Sequence, residues 1–493
     1  MTHSVLTLED ERQARQKLIL LGTLCVMTLL GSLTGPGLVV RLFFIGASVA
    51  IAFYLYSKST PEYVSFVFWI WFLAPFFRRF SDYYNGFDDL GIVILAPFLV
   101  TLIAAIKLIQ NPGQLGRAGH SSFTLVLAAI AYSFWIGWLS NPPVAVIRAS
   151  LDWFPPVVLG LFLALHWRLY PQIKRSMQKT FAWGTLVMGS YGIYQYVVAP
   201  AWDVYWMNNA TIASVGRPAA FSLRVWSTMN APGPFAIAIL AGVMILLSYQ
   251  PPIFLPSFVT GFLSFLLAGV RSAWVGWAVA QFMLMGSIKQ NIQIRLILVG
   301  AVLVLMLVPL STMPPFDDAI GDRVSSLFNN VQNDSSYRAR TATYDENLSI
   351  ALSSYLGRGL GGTLTVTDTG SAVKVALDSG VLDLFFTLGW VGALPYLAGL
   401  TMLFLRQFFT PESRSDVFVA AARSITAACL VQMLFGNTAV GVGGLMLWSF
   451  LGVNLAAQRY YAHQRHQQMA LLLAPDDPSP ALPLGTVSPP PLL

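Results

Sequence analysis

Hydrophobic residues in this chain form continuous runs of helix length, separated by mostly short polar connections. Strands of a membrane barrel would alternate apolar and polar residues over roughly ten positions, so continuous runs predict helices. Because a helix needs about 20 residues to cross the hydrocarbon core, the pattern predicts an all-α, polytopic membrane protein with about 12–14 transmembrane helices. The fourteen runs lie at about 18–34, 38–57, 62–77, 89–110, 121–139, 146–167, 180–199, 231–249, 253–269, 271–287, 293–313, 381–405, 416–436 and 439–458.

Two places in this pattern leave the path of the chain open. The run 62–77 is short, so it either spans the membrane or re-enters on one side. The runs 253–269 and 271–287 meet at Val270 and Arg271, with no polar loop between them. They form either a tight hairpin or one kinked unit.

The composition excludes an ordinary soluble domain. Hydrophobic residues make up 56% of the 493 residues and charged residues only 10%, against about 25% charged in an average soluble protein. Cys25 and Cys429 lie in separate apolar runs, which indicates neither a disulfide framework nor a cysteine metal site. Residues 1–16 are polar, so the first apolar run is expected to be a signal anchor rather than a cleaved signal peptide.

Basic residues predict which end of the helices faces the cytoplasm. Short connections rich in Lys and Arg stay in the cytoplasm, whereas the charges of long segments do not determine the orientation. Both long segments, 200–230 and 314–380, belong to the set opposite the basic connections, as does the exception Arg78-Arg79. A bacterial inner-membrane protein with both termini cytoplasmic and its long segments periplasmic is therefore predicted. The basic set contains Arg12, Arg15, Lys17, Lys58, Arg117, Arg168, Lys174, Arg175, Lys179, Lys289, Arg295, Arg406, Arg414, Arg459 and Arg465.

The domain organisation follows from the spans and their orientation. The basic start of the tail is expected to touch anionic lipid, and its proline-rich remainder is expected to be disordered. The predicted parts are a cytoplasmic N-terminus (1–17), helices 1–11 (18–313) with an outer loop at 200–230, a large periplasmic loop containing short helices (314–380), helices 12–14 (381–458) and a cytoplasmic tail (459–493).

Arginines gather on the predicted outer side, at or near helix ends. A guanidinium keeps its charge and forks onto phosphate oxygens, so a group of them suits a lipid diphosphate headgroup. For any single arginine, snorkelling to lipid phosphates or solvation in a loop is the favoured interpretation. Arg271 differs, because it lies between two apolar runs with no polar loop around it. The candidates for phosphate or substrate contact are Arg78, Arg79, Arg148, Arg217, Arg224, Arg271, Arg338 and Arg340.

Carboxylates on the same side are candidates for a catalytic base. Asp378 and Asp383 flank the start of an apolar helix, and Glu346 lies in the long loop. Asp378 or Ser379 can cap this helix, and Asp383 in its first turn is favoured by the helix dipole. Burial near the headgroups would also raise a carboxyl pKa toward that of a useful base. The sequence does not choose between cap and base.

Two other kinds of site are excluded on the predicted outer side. All five histidines (His3, His120, His166, His463 and His466) are predicted to lie at the cytoplasmic side, which leaves no outer imidazole base or histidine metal cluster. The glycine-rich stretch 357–362 has no P-loop lysine, so it is interpreted as a turn. We expect no metal, no cofactor and no nucleic-acid partner.

Four segments together resemble the superfamily of O-antigen polymerases and O-antigen ligases. GVRSAWVGW (269–277) is similar to its Ser/Thr-Arg-x-x-Trp signature, and RVWSTMNAPGPFA (224–236) to its arginine segment before a helix. SSYRARTATYDENLSIALSSYLGRGLGG (335–362) resembles an outer-loop helix with Arg-x-x-x-Tyr/Trp followed by a Gly-x-Gly turn. DSGVLDLFFTLGWVG (378–392) resembles the element that begins His-Asn. The resemblance covers about residues 217–405.

This resemblance implies a metal-independent membrane glycosyltransferase that takes a glycan from undecaprenyl diphosphate outside the cell. Arg271 and Arg338, or Arg340, match the arginines that grip the departing diphosphate. Asp378 stands where ligases carry a catalytic histidine, and it is followed by Ser379 instead of Asn. That departure favours a polymerase, with Asp378 as base and Glu346 and Asp383 as further candidates.

The expected function is polymerisation of carrier-linked repeat units into O-antigen or exopolysaccharide. Its partners would be undecaprenyl-diphosphate-linked glycan, membrane lipids and a chain-length regulator. One alternative is a ligase that transfers glycan to lipid A core or another acceptor. A second, of another class, is a lipid-linked glycan transporter or flippase, although transporters place ionisable groups near the midplane.

Overall fold

The described part of the chain is built almost entirely of α-helices. The computed structural model describes residues 2–110, 113, 121–210, 215–249, 251–286, 348, 353–366, 372–374, 379–408 and 416–473. Its helices are α1 (Thr2–Thr34), α2 (Gly37–Lys58), α3 (Thr60–Asn85), α4 (Leu95–Leu102), α5 (Ala105–Gln110), α6 (Ser121–Ser140), α7 (Pro143–Leu165), α8 (Tyr170–Val198), α9 (Ala201–Asn209), α10 (Pro232–Ser248), α11 (Phe254–Leu267), α12 (Arg271–Met285), α13 (Gly380–Arg406), α14 (Val417–Met433) and α15 (Gly441–Leu473).

Seven helical segments among the described residues are long and apolar enough to cross a membrane, judged by length and composition. Helices α10, α11 and α14 are apolar but shorter. The prediction of a helical membrane protein is therefore confirmed, while the count of fourteen spans stays a prediction. The seven candidate spans are Glu11–Thr34, Gly37–Lys58, Ile92–Gln110, Ser121–Ser140, Pro143–Leu165, Gly380–Arg406 and Gly441–Ala470.

Both ambiguous places in the hydrophobic pattern have a definite path. The run 62–77 lies inside α3, one helix of 26 residues, so the chain does not reverse direction within this run. The rings of Phe262 in α11 and Trp277 in α12 are 5.6 Å apart. On one continuous helix these residues would be about 22 Å apart, so the chain turns between α11 and α12 instead of continuing as one helix.

Close packing between helices rests on glycines. Gly160 of α7 and Gly452 of α15 meet backbone to backbone, as do Gly189 of α8 and Gly261 of α11. Gly399 of α13 contacts the Ser122 carbonyl of α6 in the same way. Lipid chains are as apolar as leucine, so helices in a membrane gain most from close contact, and small residues permit it.

The one described exception to the helical class is a short antiparallel hairpin. Strand β1 (Leu364–Val366) pairs with β2 (Ala372–Lys374), and Thr365 lies opposite Val373. The hairpin falls in the segment predicted as a large outer loop with short helices. Most of that segment, including 314–347, lies outside the described residues.

The helices have two distinct ends. At the basic end, Lys17 pairs with Glu62 at 2.8 Å and Lys174 with Asp416 at 2.8 Å. We call the opposite end the loop end. It is defined by the end of α3, the α6–α7 and α11–α12 turns, α9 with the segment 215–231, the start of α13 and the α14–α15 turn. Most of the described candidate residues lie there.

Candidate functional site

Arg79 is completely enclosed at the loop end. Its Nε pairs with Asp203 of α9 at 2.7 Å, and its terminal nitrogens donate to the Met229 and Ser227 carbonyls. Asp203 also accepts hydrogen bonds from Tyr191 and Gln195 of α8. All three guanidinium nitrogens are therefore used to fix α9 and the segment 225–230 onto α3. Arg79 has 0% of its surface exposed, and these contacts are all within the protein.

Arg78 belongs to a separate corner formed by α3, α4 and α7. Its Nε lies 3.5 Å from Asp82, which also pairs with Arg41 at 3.0 Å. Burial raises the pKa of the Asp82 carboxyl to about 6, against the lowering effect of the two guanidiniums. This corner therefore gains positive charge as the pH falls below that value. Arg148 of α7 lies nearby, with its guanidinium 5.8 Å from the centre of the Phe98 ring.

Arg224 holds the turn that presents Arg271. Its Nε and Nη2 donate to the carbonyls of Ala268 and Gly269, at 3.1 and 2.9 Å. These carbonyls end α11, where cations and donors are favoured. Arg271 begins α12 directly afterwards and is half-buried. Arg224 thus supports the turn, and Arg271 is the arginine that this turn places at the loop end.

Arg217 lies on the exposed face of the segment 215–231. An isolated bridge between Gly216 and Leu223 closes the turn that carries it, and its main-chain nitrogen donates to the Ser222 carbonyl. Its side chain is exposed to solvent. The turn therefore leaves this guanidinium accessible, without fixing it against a partner helix.

Helix α14 packs against α12, and the residues at its end pack against the start of α13. Gly276 of α12 packs against α14, where an added methyl would lie 3.2 Å from the Ala428 carbonyl oxygen. At the end of α14, Gly436 contacts Gly380 of α13. Arg271 lies five residues toward the loop end from Gly276. Arg271 and the start of α13 therefore flank the same end of α14.

Asp383 is held in a buried polar pocket at the start of α13. It accepts a hydrogen bond from Thr387 at 2.9 Å and another from Asn437 in the α14–α15 turn. Only 2% of its surface is exposed. The capping role that the sequence left open falls to Ser379, whose hydroxyl accepts from the Leu382 nitrogen at 3.4 Å. Asp383 is therefore a fixed carboxylate rather than a solvated one.

Helix α13 is broken at Gly389, and another segment fills the break. Gly389 has φ 60° and ψ −175°, so the normal helical bonding fails there. The nitrogens of Arg358 and Gly359 donate to the carbonyls of Phe386 and Thr387, at 2.9 and 3.0 Å. Val391 in turn donates to the Tyr355 carbonyl at 3.3 Å. Main-chain groups inside a membrane need such replacement partners.

The inserted segment fixes Arg358, which the sequence candidates did not include. Asn141 donates to the Arg358 carbonyl at 2.8 Å, and Leu360 donates to the Ser133 carbonyl of α6 at 2.9 Å. The Arg358 guanidinium lies 4.9 Å from the centre of the Phe386 ring and is exposed. Gly357 and Gly359 were the only sequence signal for this position. They indicated a turn, but not that the turn lies in a break of α13.

Arg358 and Asp383 share one face of α13. Phe386, beneath the Arg358 guanidinium, is three residues after Asp383, and residues three apart are neighbours on a helix surface. The Arg358 guanidinium therefore lies over a ring that is about one helical turn along α13 from the buried Asp383. An exposed guanidinium at this position can donate to phosphate oxygens.

Several candidates cannot be placed. The predicted base and the loop residues Asp378, Arg338, Arg340 and Glu346 lie outside the described residues. Across the described ranges, no group of three or more His, Cys, Asp or Glu side chains could hold a metal ion. His166 and His463 pack against Phe162 and Trp167 near the basic end.

No protein-family model and no curated protein matches this chain.

Proposed function

We propose that this protein is a membrane glycosyltransferase that polymerises polyprenyl-diphosphate-linked repeat units into O-antigen or exopolysaccharide. The observation that carries the proposal is Arg358, held over Phe386 by main-chain hydrogen bonds, one turn from the buried Asp383. The resemblance of residues 217–405 to O-antigen polymerases and ligases supplies the reaction class. The break in α13 at Gly389 explains how the inserted segment places the Arg358 cation beside Phe386.

The loop end would face the periplasm and the basic end the cytoplasm. Lys17, Lys58, Lys174 and Arg175 lie at the basic end or in its short connections, as the positive-inside rule requires of a cytoplasmic side. The segment 200–230 and the long loop 314–380 would then be periplasmic. A donor that is already outside the cell would reach the loop end from the outer leaflet.

In the proposed reaction, a sugar hydroxyl of one carrier-linked repeat unit attacks the anomeric carbon of a second, growing glycan. The new glycosidic bond forms as the bond between that carbon and the diphosphate oxygen breaks. The diphosphate leaves with the bonding electrons, and the hydroxyl proton passes to a base. Arg271 and Arg358 would stabilise the leaving diphosphate, together with Arg338 or Arg340. These guanidiniums would supply the charge that other glycosyltransferases take from a metal ion.

Asp378 remains the proposed base, and Asp383 takes a different part. Asp383 accepts hydrogen bonds from Thr387 and Asn437. These bonds and its burial fix the position of the Asp383 side chain. We therefore assign Asp383 to orienting the acceptor or the arginines. The N-cap of α13 is Ser379, and the proposal keeps Asp378 as the base.

Deleting the gene and separating the cell's surface polysaccharide and carrier-linked glycans on a gel tests this function. A polymerase predicts accumulation of single repeat units and loss of the long ladder. Long chains left on the carrier would instead identify a ligase, and single units trapped on the inner leaflet a flippase. An unchanged glycan pattern would overturn the proposed function altogether.

Thiol labelling of intact cells tests the orientation independently of activity. Cysteines replacing Arg217 and Arg175 occupy exposed positions at the two ends. In a background lacking Cys25 and Cys429, an impermeant reagent should label Arg217→Cys and spare Arg175→Cys until the membrane is opened. The reverse pattern would overturn the orientation.

A further inference from the structure

A cleft at the basic end is far from the proposed catalytic residues. It has a volume of about 460 Å³ and lies between the start of α1, the α2–α3 turn and α8. Its cationic walls are Arg15 of α1 and Arg175 and Lys179 of α8. Arg175 and Lys179 are four residues apart, so they project from the same face of α8.

The floor of the cleft is rigid. Lys17 is 7% exposed, and it bridges α1 to α3 by pairing with Glu62 at 2.8 Å and donating to Ser65 at 2.7 Å. Ser65 in turn shares a hydrogen bond with Thr180 of α8. On the α8 side, Ser176 donates to the Pro61 carbonyl at 2.9 Å. Three helices are thereby fixed beneath the cleft.

The charges of the cleft favour an anion. Glu62 is neutralised by Lys17, which leaves Glu11 as the remaining carboxylate among the lining residues. The three lining cations, Arg15, Arg175 and Lys179, outnumber Glu11, and all three are exposed. No ion pair forms between these three cations and any described carboxylate. Two guanidiniums and an ammonium around one cavity suit phosphate oxygens.

The depth of the cleft matches a lipid headgroup. Its lining runs along α1 from Glu11 to Leu18, where the helix passes from polar to apolar sequence. Leu18 and Ile19 are 55% and 67% exposed, and they continue the α1 surface into the hydrophobic span. A phosphate in the cleft would therefore sit at headgroup level, with apolar surface beside it for acyl chains.

We propose that this cleft binds the phosphate group of an anionic phospholipid, with Arg15, Arg175 and Lys179 as its ligands. The leaflet involved is the cytoplasmic one in the orientation proposed above, whereas the binding itself does not depend on that orientation. The ligand chemistry is a phosphate carrying one or two negative charges. A free phosphate ion shares this chemistry, and the two sources differ in their acyl chains.

Thermal-shift titration of the purified full-length protein in neutral detergent tests the proposal. The probes are dioctanoyl phosphatidic acid, dioctanoyl phosphatidylcholine and inorganic phosphate. The cleft variant is Arg175→Gln with Lys179→Gln. The control, Lys58→Gln with Arg168→Gln, removes the same charge from exposed positions that do not line the cleft.

Phosphatidic acid should raise the melting temperature of the wild type and the control with the same apparent Kd. In the cleft variant this Kd should rise by about tenfold or more, because two charge-assisted hydrogen bonds are lost. Phosphatidylcholine should bind more weakly than phosphatidic acid. An equal Kd in the cleft variant and wild type would overturn the site. Equal binding of inorganic phosphate, lost in the cleft variant, would keep the phosphate site and overturn its assignment to lipid.

Discussion

Gly357 and Gly389 meet backbone to backbone, so that a methyl group added to either would overlap the main-chain nitrogen of the other. Both glycines have a positive φ, 74° and 60°. Residues other than glycine rarely adopt this backbone conformation. This contact seats the segment 355–360 in the break of α13. It therefore determines where Arg358 stands.

Gly389→Ala should lower the stability of the folded protein. The added methyl both clashes with Gly357 and strains the backbone, which together cost at least about 2 kcal/mol. The melting temperature of the purified protein would measure the loss. Gly46→Ala in α2 is the matched control, because no atom lies within 4 Å of the added methyl. Equal melting temperatures for Gly389→Ala and wild type would contradict the insertion.

Arg79→Ala should lower the stability of the folded protein. It leaves the buried Asp203 without its cation, and breaking a buried pair costs about 3–5 kcal/mol. The amount of monodisperse protein after mild heating should fall sharply. Arg12→Ala, at an exposed position of α1, should behave like wild type. If Arg79→Ala kept wild-type heat resistance but lost polymer, Arg79 would have a functional role after all.

Arg271→Ala should abolish polymer while leaving the level of membrane-inserted protein unchanged. Loss of a preorganised cation at a leaving group costs about a hundredfold or more in rate. Arg271→Lys should recover only part of the activity, because an ammonium cannot fork onto two phosphate oxygens. Complementation of the deletion strain, read as a glycan ladder, provides the measurement. A wild-type ladder from Arg271→Ala would remove the proposed role.

Arg358→Ala tests whether the Arg358 side chain is needed for activity and not for stability. The main-chain bonds that seat the segment remain, and the lost contact with the Phe386 ring is worth about 1 kcal/mol or less at an exposed site. The melting temperature should therefore change little while polymer length or yield collapses. Arg168→Ala, an exposed arginine at the basic end, is the activity control. A full ladder from Arg358→Ala would overturn the observation on which the proposed function rests.

Asp416 should make stability depend on pH in the acidic range. Burial alone would raise its pKa, but hydrogen bonds from Lys174 and Tyr170 hold the pKa below its ordinary value. The folded state therefore gains stability from the ionised carboxylate above about pH 4, and loses it as the pH falls through the lowered pKa. Melting temperatures of wild type and Asp416→Asn should differ at pH 7 and converge toward pH 3. A constant difference would contradict the assignment.

The class of the protein and its local helix signals could be predicted from the order of residues alone. Continuous apolar runs predict membrane helices because the lack of water in the hydrocarbon forces the backbone to satisfy its own hydrogen bonds. The helix start at Ser379 was also within reach, because a cap involves residues only three apart. Such features depend on neighbours in the chain, so the order of residues is enough to predict them.

Which arginines are buried in internal contacts and which remain accessible follows from the packing of the helices, not from the sequence pattern. Arg79, Arg224 and Arg271 were all candidates for phosphate contact in the sequence, yet Arg79 pairs with Asp203, which is 124 residues away. Arg358 looked like a loop residue, but the break at Gly389 fixes it beside Phe386. Helix packing brings distant carbonyls and carboxylates next to a guanidinium, and these partners decide whether it stays accessible. Hydrophobic periodicity carries no information about those partners, because it reports only which face of each helix is apolar.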